Sequence, residues 1–197
     1  MKAKTFISLA LFAILITSCE KEIARYYLTE AQKQIIPYEK GQIISFIYGA
    51  RQTVNAIVEE RELKWIRYDI DEVTMYSDYI SCERKFVTLR FEPYIYGIQI
   101  YIDAIGFLFE NNLVGLLHIE TGGGTTNLRV DTEGFFLTND ISNFFYESIE
   151  INGKVYYDVV EQNSTSSDMS VMQLFYNKTY GILQINRDGE NFLTINQ

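Results

Sequence analysis

The sequence predicts an all-β fold: a mostly antiparallel meander forming a half-open barrel or a two-sheet sandwich, with one short N-terminal helix. Three observations predict it. From Gln42 onward apolar residues recur with a period of two. The runs are separated by dipeptides suited to tight hairpins, among them Asn152-Gly153 and Asp188-Gly189. Only Pro37 and Pro93 occur in 197 residues, so few strands are confined to sheet edges.

The chain opens with Lys2 and Lys4, an apolar stretch from Phe6 to Ile16, and then Thr17 and Ser18 directly before Cys19. A charged segment, a short apolar segment and small residues at a cleavage point make residues 1–18 a signal peptide. The apolar stretch is too short for a membrane-spanning helix, which needs about 20 residues. Residues 19–28 read as a polar tether. In "LTEAQKQIIPY" Thr29 is a natural N-cap, Glu30 is acidic in the first turn and Pro37 closes the segment, which predicts one short helix.

Strand patterns follow. "FVTLRF" sets Val87, Leu89 and Phe91 against Phe86, Thr88 and Arg90, and "GIQIYIDA" sets Ile98, Ile100 and Ile102 against Gln99, Tyr101 and Asp103. "KVYYDVV" sets Val155, Tyr157 and Val159 against Tyr156, Asp158 and Val160. The turn at Asn152-Gly153 is expected to place Val155, Tyr157 and Val159 on one face with Ile149 and Ile151. Asn111-Asn112 and Gly122-Gly123-Gly124 mark further turns, and "NSTSSD", residues 163–168, reads as a loop. About a dozen strands are too many for one flat sheet, which is why a barrel or sandwich is expected. Residues 29–197 form one domain on this reading.

Ile16-Thr17-Ser18-Cys19 resembles a bacterial lipobox, with Ile16 where Leu is usual and Thr17 where Ser or Ala is usual. The resemblance implies that Cys19 is acylated and becomes the first residue of the mature protein. Several acyl chains, each contributing about 0.8 kcal/mol per buried methylene, anchor a protein firmly. Glu20, Lys21 and Glu22 are similar to the short acidic, lysine-containing segment that marks surface export in Bacteroidota-type lipoproteins, although here the acids flank the lysine. Residues 148–195 are similar to the carboxyl-terminal hairpins of small lipoproteins of that type whose function is unknown. That similarity covers about a quarter of the chain and implies fold and compartment only.

Charge narrows the function. Removal of residues 1–18, which carry two lysines and no acid, takes the net charge from −9 to −11. Nucleic-acid affinity comes largely from Lys and Arg on phosphates, so nucleic acid is excluded as a partner. His118 is the single histidine. In "GLLHIE" it shares a face with Leu116 and Glu120, and it is expected on the solvent side or hydrogen-bonded, with no Gly-x-Ser-x-Gly elbow to accompany it. With Cys19 acylated, Cys82 is a packed free thiol, and one His with one Cys cannot supply a zinc site. Asp69, Asp71, Glu72 and Asp78 form an acidic turn without EF-hand spacing, and Asn186, Asp188 and Glu190 surround a hairpin tip.

Aromatic residues are 15% of the chain. Tyr94, Tyr96 and Tyr101, Phe144, Phe145 and Tyr146, Phe175 and Tyr176, and the single Trp65 read as strand residues or as stacking platforms. The expected function is a lipid-anchored, surface-exposed, non-enzymatic binding or structural module on an outer membrane. The membrane is its partner through Cys19, and a glycan, an apolar ligand or a protein remain open as further partners. No cofactor and no metal are expected. The alternatives are a carrier of an apolar ligand in a half-open barrel and, behind it, a carbohydrate-acting enzyme, which needs only two carboxylates at a set separation.

Overall fold

A computed structural model describes residues 21–49, 52–69, 78–92, 97–105, 114–121, 124–137, 143–165 and 171–196. The fold class agrees with the sequence: one curled, almost wholly antiparallel sheet, a half-barrel, with one short helix. Cys19, Asp71, Glu72, Tyr94, Tyr96 and the turns at Asn111-Asn112 and Gly122-Gly123 lie outside the described residues.

The helix α1, Glu30–Gln34, begins with a full capping box. The Thr29 side chain accepts from the Gln32 backbone N–H, and the Gln32 side chain accepts from the Thr29 N–H. The strands β2 (Ile43–Tyr48), β3 (Gln52–Asp69), β4 (Tyr79–Glu92), β5 (Gly97–Ile105), β6 (Val114–Thr121), β7 (Gly124–Val130) and β8 (Phe136–Leu137) form one meander. A second contains β9 (Asn143–Ile151), β10 (Lys154–Thr165), β11 (Val171–Asn177), β12 (Gly181–Arg187) and β13 (Glu190–Ile195). The two are sewn together where β13 pairs with β2, Leu193 opposite Tyr48 and Ile195 opposite Phe46. The sheet order therefore runs from β8 at one edge to β9 at the other.

Those two edges are consecutive in the chain, so the sheet has to curl until its ends approach. Near the seam the hydroxyls of Thr126 on β7 and Ser164 on β10 are 3.3 Å apart. Curling leaves a concave trough lined by Val87, Leu89, Ile98, Ile100 and Ile102, all buried as their alternation predicts.

The segment 28–38 lies in that trough. Ile35, Ile36 and Tyr38 are at most 2% exposed and join the main core. The Tyr176 hydroxyl on β11 donates to the Ile35 carbonyl at 2.8 Å, and the Ile182 N–H on β12 donates to the Tyr38 hydroxyl at 2.7 Å. Gln32 donates to the Val130 carbonyl on β7, and Lys85 on β4 donates to the carbonyls of Lys33 and Ile36. One short segment is thus bonded to β4, to β7 and to the adjacent strands β11 and β12, three separate parts of the sheet.

Two expectations are corrected. Part of the expected tether is structured, since Glu22–Tyr26 form strand β1, paired parallel with β4 from Glu22 opposite Tyr79 to Tyr26 opposite Cys82. The sequence hid this because the strand is short and only half covered, with no apolar run to announce it. The faces of the β9–β10 hairpin also differ. Asn152 (φ 53°) and Gly153 (φ 76°) form the expected type I′ turn, but a two-residue loop sets Lys154 opposite Ile151 and hence Tyr156 opposite Ile149. Tyr156 is buried, whereas Val155 and Tyr157 are 49% and 66% exposed. Asp158, with φ 53°, then breaks the alternation, and Val159 and Val160 are buried in succession.

Gly181, with φ 77°, sits where an added Cβ would lie 2.1 Å from the Tyr38 hydroxyl. Gly153 has the same sign of φ and open space around it. Gly153→Val is expected to lose about 1–2 kcal/mol from backbone strain alone. Gly181→Ala adds overpacking of about 1–3 kcal/mol to similar strain and is expected to be the more destabilised of the two. A denaturant titration ranks them, and the reverse ranking would mean that Tyr38 is not held against β12.

Candidate functional site

Three groups of side chains are candidates for a site. The first lies on the convex face of β3–β6, where the outward-pointing Asp103 is nevertheless fully buried. Arg84, opposite it in register, donates to both carboxylate oxygens at 2.5 and 2.6 Å, and Tyr68 adds a third bond at 2.6 Å. Arg84 also lies over the Tyr101 ring, which stacks on His118 at 4.5 Å and donates its hydroxyl to Glu120. His118 is therefore packed within the convex face and hydrogen-bonded to the Asn127 side chain opposite it on β7, the second of the two alternatives expected. Its Nε2 is 3.8 Å from Asp103, beyond hydrogen-bond length, and finds no partner among the described residues.

Asp103 is saturated by Arg84 and Tyr68, so it does not orient the imidazole as a catalytic base requires. Cys82, fully buried nearby, has its thiol pushed up to about 12, by burial first and then by the Asp103 carboxylate. A thiol in that state is an inert packing group. The Tyr68, Arg84 and Asp103 bonds tie β3, β4 and β5 together in register.

The second group lines a cleft of about 680 Å³ between α1 and β3–β4, where Lys33, Arg61 and Lys85 meet Glu30, Glu39 and Glu62. Its cations have partners already. Lys33 lies 3.1 Å from Glu30 and 3.4 Å from Glu83, Arg61 pairs with Glu39, and Lys85 caps the end of α1. Burial, reinforced by the Arg61 charge, lowers the Lys85 ammonium to about 8, so it remains mostly protonated at neutral pH.

The third group is a leaf that projects past the barrel rim. β2 covers β3 only as far as Ile57, and β5 covers β4 only back to Arg84. Beyond these limits β3, β4 and β1 form a three-stranded leaf. One face presents Trp65, 46% exposed, with Tyr27 edge-on at 5.0 Å and Arg25 over the indole at 4.9 Å. Ser81 lies opposite both Arg25 and Arg67 on the central strand, and its small side chain lets Arg25 reach across to β3. Arg67 covers Tyr79 at 4.2 Å, and Leu63 and Ile23 extend the exposed apolar area.

Of the residues singled out in the sequence, Trp65 joins a platform, while its partners Tyr27 and Arg25 were hidden in the supposed tether. Phe175 and Tyr176 are core residues, and Phe144 and Phe145 are half-exposed on the edge strand β9. Tyr146 donates to Glu161, which also accepts from Asn163 and Gln173, and Asn186 bonds to Gln173. Asn186, beside the β12–β13 hairpin tip, thus belongs to an outer-face ladder. Asp69 pairs with Arg67, and no group of three or more metal-ligating side chains occurs among the described residues. Nor is any described helix long and apolar enough to cross a membrane. Comparison with protein-family profiles, curated proteins and solved structures gives no match for this chain.

Burial holds the His118 imidazolium below its ordinary range, against the opposing pull of Asp103. The unfolded chain then takes up the proton first, near pH 6.5. Stability from this group is complete above that pH and is lost as pH falls through the lower, folded value. Replacing His118 by Gln is expected to flatten the loss of urea midpoint between pH 7.5 and 5.5. Parallel pH curves for the two proteins would show that other groups, not His118, govern that range.

Proposed function

We propose that the chain is a lipid-anchored, non-enzymatic binding or structural module held on an outer membrane through acylated Cys19, displayed on the cell surface. The observation that carries the reading is the start of β1 at Glu22, three residues behind Cys19. Three extended residues span at most about 11 Å, so an acyl anchor on Cys19 would hold a folded leaf, not a loose tail, against the lipid. The lipobox resemblance supports the anchor, and the acidic Glu20-Lys21-Glu22 segment supports surface display.

The barrel interior bears on the role as well. The trough that a carrier would use for an apolar ligand is occupied along the described residues by Ile35, Ile36 and Tyr38 of the same chain. This favours a module that works through its outer surfaces.

Mass spectrometry of the mature protein is expected to find Cys19 as an acylated amino terminus, and Cys19→Ala is expected to abolish lipid labelling and membrane retention. An unchanged membrane fraction would refute the anchor. Protease treatment of whole cells is expected to remove the domain, and Ala at positions 20, 21 and 22 is expected to protect it. Equal sensitivity of both versions would leave those three residues no role in sorting.

A further inference from the structure

From the exposed face of the leaf we infer a second membrane contact: Ile23, Tyr27, Leu63 and Trp65, framed by Arg25 and Arg67, form a seat on the bilayer that receives the acyl chains. The inference rests on the anchor reading above. These four apolar side chains are 46–58% exposed. Trp65, Tyr27 and Arg25 touch one another directly, and Leu63 precedes Trp65 by one strand period on the same face.

Their composition fits an interface rather than a core or a dry protein contact. Trp and Tyr combine an apolar ring with a polar tip, the property that concentrates them where acyl chains meet headgroups. Arg25 and Arg67 lie over aromatic rings, so that their aliphatic stems and guanidinium planes cover apolar surface at the margin of the face. Each is also paired with an acid of its own strand, Arg25 with Glu22 and Arg67 with Asp69. Within each of these two pairs the charges cancel on this face, in a mature chain that carries −11 once residues 1–18 are removed.

Position selects lipid over a protein partner. The strand that contributes Ile23 and Arg25 begins three residues from Cys19. An anchor so close makes lipid contact by this face effectively intramolecular, and a weak intrinsic preference of the side chains then suffices to populate it. The same contact would fix the domain's tilt by lowering the leaf to the headgroups.

Trp65 is the single tryptophan, so its emission reports this face alone. The full-length acylated protein is reconstituted in phosphatidylethanolamine and phosphatidylglycerol vesicles, with or without lipid brominated on the acyl chains. Seated side chains lie about 5–10 Å into the headgroup and acyl boundary, and brominated lipid is expected to remove about half or more of Trp65 emission at that depth. Acrylamide quenching from water is expected to fall in parallel. Tyr27→Ser with Leu63→Ser is expected to reverse both effects, while Tyr157→Ser, an exposed aromatic on β10, leaves them unchanged. If mass spectrometry finds Cys19 acylated and the protein sediments with vesicles, yet Trp65 keeps full access to acrylamide, the seat is wrong and the anchor stands. If Cys19 is unmodified, both fall.

Discussion

The structure depends on burying a non-strand segment in a trough built by strands. Residues 28–38 carry backbone groups that the sheet ladders cannot satisfy, and a buried unsatisfied donor or acceptor costs about 1–3 kcal/mol. The sheet meets the demand from several directions. Glu83 accepts from the Leu28 N–H, Lys85 supplies the carbonyls at the end of α1, Tyr176 supplies Ile35, and Tyr38 in turn receives the Ile182 N–H. Since these partners come from β4, β11 and β12, the segment can be satisfied only when the sheet has curled to a particular radius. Gly181 is the local cost of that arrangement, a position where no side chain fits beside Tyr38.

The same segment links core to leaf. Glu83 and Lys85 face α1 from β4, while two residues earlier in the same strand Ser81 lies in the open leaf between Arg25 and Arg67. The long β3–β4 hairpin is thus one element with two environments, capped by the plug at one end and exposed at the other. On the convex side the sheet is locked by polar groups instead: the Arg84–Asp103–Tyr68 cluster on the first meander and the Glu161–Gln173–Asn186 ladder on the second. Such networks hold register well when each member has a partner. His118, with one ring nitrogen lacking a partner among the described residues, is the imperfect member of the first.

Much of the fold was legible because strand alternation reports directly on two-sided burial. Ile98, Ile100, Ile102, Val87 and Leu89 face the trough as their spacing requires, and Thr29 caps the helix it was expected to cap. Legibility failed where burial was partial or parity was set by a turn. Val155 and Tyr157 are apolar or aromatic yet exposed, because loop length and not hydrophobicity decides which residues of β10 oppose Ile149 and Ile151. β1 escaped notice because five alternately exposed residues resemble a polar tether. The Trp65 platform escaped with it, since Tyr27 and Arg25 belong to β1 and its margin.

The sequence by itself determined the all-β class, the helix start at Thr29, the tight turns at Asn152-Gly153 and Asp188-Gly189, and the expectation of lipid at Cys19. Each depends on residues within a few positions of one another, through backbone geometry or local side-chain chemistry. Tertiary structure alone decided that the strands make one curled sheet, that β13 joins β2, that Ile35, Ile36 and Tyr38 behind α1 fill the trough, and that Arg25, Tyr27 and Trp65 share a face. Those outcomes depend on contacts across 38 to about 150 residues of chain, where side-chain volume and unpaired polar groups choose the partner. No short window of sequence contains both sides of such a choice.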